Sequence, residues 1–160
     1  MAMFSLLKRQ ATELTGSKLY NQDSFYAAFL KDLARCQHEV IIESPFITQR
    51  RLDTLLPALE KLKGRNVKVT VNTRDPREND EDHLREEGAR AIAKLQYRGI
   101  QVLYTGKHHR KLAILDRQIL WEGSLNILSQ NDSCEIMRRI ESTKLAWQMT
   151  HFIGIDKRID

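Results

Sequence analysis

Helical and extended patterns of hydrophobic residues alternate along this chain. Apolar residues recur at intervals of three and four, as on the buried face of a helix, in segments separated by shorter apolar runs. Ser142 is a suitable N-cap residue for a final helix. Asn21–Ser24 is a start signal for a helix, in which the residues expected to face inward are Phe25, Phe29, Leu30 and Leu33. The predicted helices cover residues 3–14, 25–33, 52–62, about 82–99, and the segment after residue 142.

The shorter runs, rich in β-branched and aliphatic residues, predict β-strands. Asp116-Arg117-Gln118 lies between two of these runs and is typical of a hairpin turn. The alternation predicts one α/β domain over residues 1–160, in which a mixed central sheet is flanked by helices. The predicted strands cover residues 39–43, 67–73, 100–104, 111–116, 119–124 and 135–140.

Proline and glycine residues affect the predicted helix boundaries. Pro57 lies inside a leucine-rich helix, and it is expected to kink or shift that helix because proline lacks a backbone N–H donor. Gly64 and Gly99 are each expected to end the helix that precedes them.

The most specific polar pattern lies in the last third of the chain. Its histidine and lysine, His109 and Lys111, are two residues apart. If they lie on one strand, their side chains point to the same face of the sheet. An imidazole can be neutral near pH 7 and can attack phosphorus, and an ammonium group beside it can hold a phosphate oxygen. The pattern reads H-x-K, four residues, D, six residues and G-S-x-N, and its members are His109, Lys111, Asp116, Gly123, Ser124 and Asn126.

This spacing resembles the signature of the phospholipase D superfamily, and the chain is similar to its short members with a single copy of the motif. Those members are mostly bacterial phosphodiesterases and nucleases. Ile41-Ile42-Glu43-Ser44-Pro45-Phe46 and Glu135-Ile136-Met137 also resemble the flanking strands of that family. The resemblance implies a phospholipase D-like domain whose phosphate-binding and reacting set is His109, Lys111, Ser124 and Asn126.

Asp116 and Glu135 are the acids that complete the predicted catalytic set. Either carboxylate could orient an imidazole by accepting its second N–H, and Glu135 is favoured for that role. In the alternative interpretation, Asp116 is mainly a structural residue of the hairpin turn. His108, beside His109, is expected to be a surface residue or a satisfied polar residue.

The single motif also bears on the oligomeric state. Cleavage through a phosphohistidine needs one imidazole to attack and a second to protonate the leaving oxygen. None of the other histidines is followed by a lysine two residues later. A two-fold homodimer that brings two copies of His109 together would supply both groups, so the active site is expected at the dimer interface and a monomer is expected to be nearly inactive.

The net charge of +5 favours a polyanionic partner. Nucleic acid is the predicted substrate, DNA more than RNA. Association with a helicase-like partner or parent chain is left as an alternative, because similar domains are sometimes attached to such proteins. Basic residues would surround the site if the carboxyl ends of the strands converge on it. The predicted substrate-binding residues are Lys111, Ser124, Asn126, Arg110, Lys107 and Arg74.

No metal or other cofactor is expected. The sequence has no histidine or cysteine cluster with zinc spacing and no acidic triad suited to magnesium, and the family resemblance also implies a metal-independent reaction. Cys36 and Cys134 lack C-x-x-C spacing and are expected to be reduced, buried thiols in a cytoplasmic protein. No apolar run approaches the roughly 18 to 20 residues of a membrane span, so no membrane partner is expected.

The sequence therefore predicts a metal-independent phosphodiesterase, and a nuclease in particular. Two alternatives stay open: a phospholipid hydrolase of the same superfamily, and a nucleic-acid-binding module that has lost turnover. Trp121 and Trp147 could stack on bases, but packing in the core is favoured for both.

Overall fold

A seven-stranded mixed sheet forms the centre of this computed structural model, which describes residues 16–159. In chain order its strands are β1 (Ser17–Asn21), β2 (Glu39–Glu43), β3 (Lys68–Thr73), β4 (Gln101–Tyr104), β5 (Leu112–Leu115), β6 (Ile119–Gly123) and β7 (Ile136–Glu141). They lie side by side in the order β1-β7-β6-β5-β2-β3-β4. Strands β2, β3 and β4 are parallel, whereas the pairs from β2 through β5, β6 and β7 to β1 are antiparallel.

Among the described residues, four α-helices cover the two faces of the sheet. They are α1 (Phe25–Arg35), α2 (Gln49–Gly64), α3 (Asp82–Tyr97) and α4 (Thr143–Phe152). The first three pack on one face around the larger core, and α4 packs on the other face around a smaller core. Ile42 belongs to the larger core and Ile41 to the smaller one, because successive side chains of a strand point to opposite faces. This arrangement confirms the predicted fold class; none of these four helices can span a membrane.

The boundaries of α2 differ from the prediction. The helix continues through Pro57, because buried leucines on both sides of the proline hold it against the core. It also includes Gly64, and the residue with a positive φ is Asn66, at 61°. Asparagine is the residue that most often replaces glycine in this left-handed position after a helix. The predicted helix over residues 3–14 lies outside the described residues.

Burial confirms some of the sequence-based assignments and corrects others. Trp121 is a core residue, and its indole N–H donates to Asp32 at 2.9 Å. Cys36 is buried as predicted, and burial raises the pKa of its thiol to about 12. Cys134 is exposed, because it lies in the loop before β7, and the prediction that it is buried is wrong. Leu30 is also 36% exposed, so it does not share the buried face of α1.

The strand directions bring the motif to one end of the sheet. The carboxyl ends of β2, β3, β4 and β6 meet the amino ends of β5 and β7 there, since β5 and β7 run in the opposite direction to their neighbours. We call this the motif end of the sheet. It is formed by the strand-terminal residues Glu43, Thr73, Tyr104, Leu112, Gly123 and Ile136.

Candidate active site

His109 and Lys111 lie directly before β5 at the motif end. His109 is exposed, and the Lys111 ammonium donates a hydrogen bond of 2.8 Å to the His109 carbonyl oxygen. The Lys111 carbonyl oxygen accepts from the Gly123 N–H at 3.3 Å, which extends the pairing of β5 with β6 by one more residue. Lys111 therefore lies beside the strand end that leads to Ser124, and the two halves of the predicted motif are neighbours.

Ser124 and Glu135 hold each other in place across the start of β7. The Ser124 N–H donates to the Ile136 carbonyl oxygen at 2.9 Å, and the Ser124 hydroxyl accepts from the Ile136 N–H at 3.0 Å. The same hydroxyl donates to the Glu135 carboxylate, whose other oxygen accepts from the Ser133 hydroxyl at 2.6 Å. The predicted partner of Glu135 is an imidazole. Within residues 16–159, its carboxylate instead binds these two serines.

Gly123 is required by the close approach of β7. A Cβ atom added to this residue would lie 2.0 Å from the Ile136 carbonyl oxygen and 2.9 Å from the Met137 Cα atom. Both neighbours are backbone atoms, which cannot move aside without displacing the strand. The glycine of the G-S-x-N pattern therefore permits the contact that places Ser124 beside Glu135.

Asn126 follows in the loop after β6. Its side-chain oxygen is buried and has no hydrogen-bond partner among the described residues. An unpaired buried amide oxygen lowers stability, and such groups are uncommon enough in folded proteins to call for an explanation. Its backbone carbonyl accepts from the Ser129 N–H at 3.1 Å, which holds the loop in a tight turn at the motif end.

A buried carboxylate that the sequence analysis did not identify anchors the segment around His109. Glu43, the last residue of β2, is fully buried and accepts from the Asn72 side-chain amide at 2.7 Å. Arg110 donates to both of its carboxylate oxygens, with an Nη2–Oε1 distance of 3.0 Å. This hydrogen bond raises the pKa of Arg110, because Glu43 stabilises the charged guanidinium. Arg110 was predicted to bind substrate, but its guanidinium is bound to Glu43.

His108 is anchored to the same carboxylate. It is 2% exposed, so of the two expected environments it has the buried, hydrogen-bonded one: its Nδ1 atom accepts from the Arg110 N–H at 3.2 Å. Its Nε2 atom lies 3.9 Å from a Glu43 oxygen. Burial lowers the pKa of His108; Glu43 opposes this effect and the Arg110 charge adds to it. Both chain neighbours of His109 are therefore in contact with Glu43. In the sequence, Glu43 could be noticed only as a single acidic residue at the end of an apolar strand.

Two further basic residues lie near the motif end. The Arg74 guanidinium forms an ion pair with Glu78 at 3.1 Å, and its carbon lies 5.6 Å from the centre of the Phe46 ring. Lys107 is exposed, and its side chain has no partner in residues 16–159. Its N–H donates to Glu78 at 3.3 Å. In the same range, no three His, Cys, Asp or Glu side chains are grouped so as to hold a metal ion.

Asp116 does not belong to this site. It follows β5, at the opposite end of that strand from Lys111. Its carboxylate accepts from the backbone N–H groups of Gln37, His38 and Glu39 at 2.8 to 2.9 Å. Asp116 and Arg117 both have a φ of 51°, as the two central residues of a tight hairpin turn require. The predicted catalytic role is corrected: Asp116 is the structural turn residue of the alternative interpretation.

Comparisons with known proteins agree with the fold. The family described as "Cardiolipin synthase, PLD-like domain" matches residues 29–154. A comparison with curated proteins found no match. Among solved structures, the chain is similar to Nuc, a phospholipase D family member from Salmonella typhimurium, with a TM-score of 0.69 and 18% identity over 85% of this chain and 90% of that chain. It is also similar to NucT from Helicobacter pylori, with a TM-score of 0.65 and 18% identity over 85% of this chain and 91% of that chain.

At these identities the structural comparisons show a shared fold. A further example is polyphosphate kinase from Porphyromonas gingivalis, which matches 90% of this chain with 26% of its own, at a TM-score of 0.68 and 14% identity. The family match, by contrast, covers most of the sequence and includes every motif residue from His109 to Glu135. The chain therefore belongs to the PLD-like domain family.

Proposed function

We propose that this chain is a metal-independent phosphodiesterase that cleaves nucleic acid, DNA more than RNA, through a covalent phosphohistidine at His109. The observation that carries the proposal is the meeting of the two halves of the motif at one end of the sheet, where Lys111 pairs with Gly123. Membership of the PLD-like family supports the reaction class. The net charge of +5 supports a polyanionic substrate.

In the first step, a ring nitrogen of His109 attacks phosphorus and forms a P–N bond, while the bond from phosphorus to the leaving oxygen breaks. The Lys111 ammonium and the Asn126 amide group stabilise the negative charge on the non-bridging oxygens. The leaving oxygen takes a proton from a second imidazole, which is His109 of the partner subunit in a two-fold homodimer.

In the second step, water attacks phosphorus and gives its proton to that second imidazole. The P–N bond breaks, which restores neutral His109 and releases a phosphomonoester. The Ser124 hydroxyl, which donates its one hydrogen to Glu135 in this structure, turns to the phosphate in this scheme and becomes a further donor. Glu135, held beside Ser124, accepts the second N–H of an imidazole and so keeps its ring oriented.

The proposal is tested by incubating single- and double-stranded DNA and RNA with the protein in EDTA. We expect cleavage by the wild type, no cleavage by His109→Ala, and unchanged cleavage by His83→Ala, which alters an exposed histidine on α3. A phosphohistidine should be recovered from the wild type after rapid denaturation. Cleavage by His109→Ala would contradict the proposed chemistry. Loss of wild-type cleavage in the presence of EDTA would contradict it as well.

Two other outcomes would identify the alternative functions. Hydrolysis of phospholipids without cleavage of any nucleic acid would indicate the phospholipid hydrolase. Equal DNA binding by the wild type and His109→Ala, with no cleavage of any phosphodiester by either, would indicate a binding module.

Lys111→Ala tests the phosphate contact separately from the nucleophile. Its kcat is expected to fall by a factor that corresponds to about 2.7–4 kcal/mol, because a charge next to the reacting phosphate is lost. Lys61→Ala is the matched control, since Lys61 is exposed in the last turn of α2, at the opposite end of the sheet. A Lys111→Ala enzyme that retains wild-type turnover would refute the assignment.

A further inference from the structure

We propose that a pocket beside the motif end binds a nucleobase of a single-stranded substrate, next to the phosphodiester that is cleaved. This inference rests on the proposed function and specifies its substrate. The pocket has a volume of about 260 Å³ and is formed by the loops after β2, β3 and β6 and by the first half of α3. The lining residues that matter here are Phe46, Thr48, Arg74, Asn79, Glu87 and Ser129.

Backbone hydrogen bonds link the pocket to the candidate active site on two sides. On one side, Ser129 lines the pocket and its N–H is bonded to the Asn126 carbonyl at 3.1 Å. On the other side, the short turn Pro76–Glu78 contributes Pro76 to the lining, and Glu78 accepts from the Lys107 N–H, two residues before His109. In the proposed binding mode, a nucleotide whose phosphate lies at His109 places its neighbouring base in this pocket.

The lining offers a planar apolar surface. Phe46 is 37% exposed, and the Arg74 guanidinium carbon lies 5.6 Å from the centre of its ring. Unpaired bases stack on aromatic rings and on guanidinium planes in proteins that bind single strands. The ring of Phe46 is thus available to one flat partner, and the Arg74 charge favours a partner that is attached to phosphate.

The polar part of the lining distinguishes a base from the other ligands of this family. Glu87 lies in the pocket and its carboxylate accepts from the Gln49 N–H at 3.0 Å. A carboxylate repels a phosphate group but can accept from the exocyclic amino group of a base. It is also a poor neighbour for an acyl chain, because an acyl chain cannot satisfy it.

A base that is paired and stacked in a duplex cannot enter a pocket without being extruded, which requires the loss of its stacking and pairing. A single strand presents its bases without that requirement. The pocket therefore favours single-stranded over double-stranded substrates.

The experiment compares two single-stranded oligonucleotides that have the same backbone, one with bases and one with abasic residues. Phe46→Ala is expected to lower kcat/KM for the base-bearing strand by about tenfold or more, and to leave the abasic strand unchanged. Phe46→Tyr should restore wild-type cleavage, because it keeps the ring. Tyr97→Ala, which removes an aromatic ring that is 89% exposed on α3, is the matched control and should change neither substrate.

Two outcomes of the cleavage assay overturn the inference. Equal losses on both strands would show that Phe46 has a structural role, and no loss on either would show that the pocket is not used. If the wild type cleaves neither strand, the proposed function fails, and the same comparison is made by fluorescence anisotropy. Equal affinity of the wild type for the two strands would then exclude the base pocket. If Phe46→Ala weakens binding to phospholipid vesicles and to neither strand, the pocket would be assigned to an acyl chain.

Discussion

At the scale of single residues, Gly123 is the motif position where the structure leaves the least room. Gly123→Ala is expected to lower the free energy of unfolding by about 1–3 kcal/mol or more, because the added methyl group meets the backbone of β7. Displacement of β7 should also separate Ser124 from Glu135 and reduce activity. Urea unfolding, followed by a cleavage assay, measures both effects.

The chain provides a control of opposite sign for this substitution. A Cβ atom at Gly64, within α2, would have no atom within 4 Å. Gly64→Ala is expected to be neutral or to stabilise the protein by up to about 1 kcal/mol, because alanine is the better helix former. If the two alanine variants unfold at the same urea concentration, the contact between Gly123 and β7 is not what selects glycine.

At the scale of elements, the segment that carries His109 depends on β2 for its position. Glu43→Gln keeps the shape of the side chain but removes the charge that binds Arg110. The free energy of unfolding is expected to fall by about 1–3 kcal/mol, and kcat is expected to fall more than KM rises, because His109 is displaced. Glu60→Gln is the control: it weakens an exposed ion pair with Arg98 and should cost less than about 1 kcal/mol. Wild-type kcat in Glu43→Gln would show that this anchor has no role in catalysis.

The same segment should make stability depend on pH. Burial lowers the pKa of His108, so the unfolded chain binds a proton at the ordinary histidine pKa of about 6.5 while the folded chain resists it. The free energy of unfolding should therefore fall as the pH decreases below about 6.5, until the lower folded-state pKa is passed. His108→Gln should reduce this dependence, as measured by urea unfolding between about pH 7 and pH 5. His83→Gln, at an exposed position, is the matched control.

The hydrophobic pattern predicted those elements that bury a face. The run Glu39–Glu43 is a strand with the predicted bounds, because four of its five residues are buried. The pattern did not reveal β1, whose Leu19 is 61% exposed and which is held by backbone pairing with β7. An edge strand of this kind has no alternation of polar and apolar residues that could reveal it.

The candidate site was predictable only where its residues are close in sequence. The spacing of His109, Lys111 and Ser124 indicated a shared site, because a hairpin brings these positions together. Glu43 is 67 positions from Arg110, and nothing in one sequence indicates which arginine a lone glutamate will bind. The role of Asp116 depended on a similar distant contact, with the backbone of residues 37–39.

At the scale of the whole molecule, one protomer presents one exposed His109 at the motif end. The proposed reaction needs two imidazoles, one as nucleophile and one as acid and base. An exposed histidine at the end of a sheet can meet its copy across a two-fold axis. The proposed homodimer would supply both imidazoles, and it can be tested through activity.

Mixing wild-type and His109→Ala protomers tests whether both histidines of a dimer are needed. After free exchange of subunits at equal amounts, about one quarter of the dimers contain two wild-type chains, so activity per total dimer should be about one quarter of the wild-type value. Independent sites would instead retain about one half. Mixing with His83→Ala, which keeps His109, should leave activity unchanged and shows that exchange itself is harmless. Activity that declines in direct proportion to the wild-type fraction would mean that one His109 suffices, and that the second proton carrier lies within the same chain.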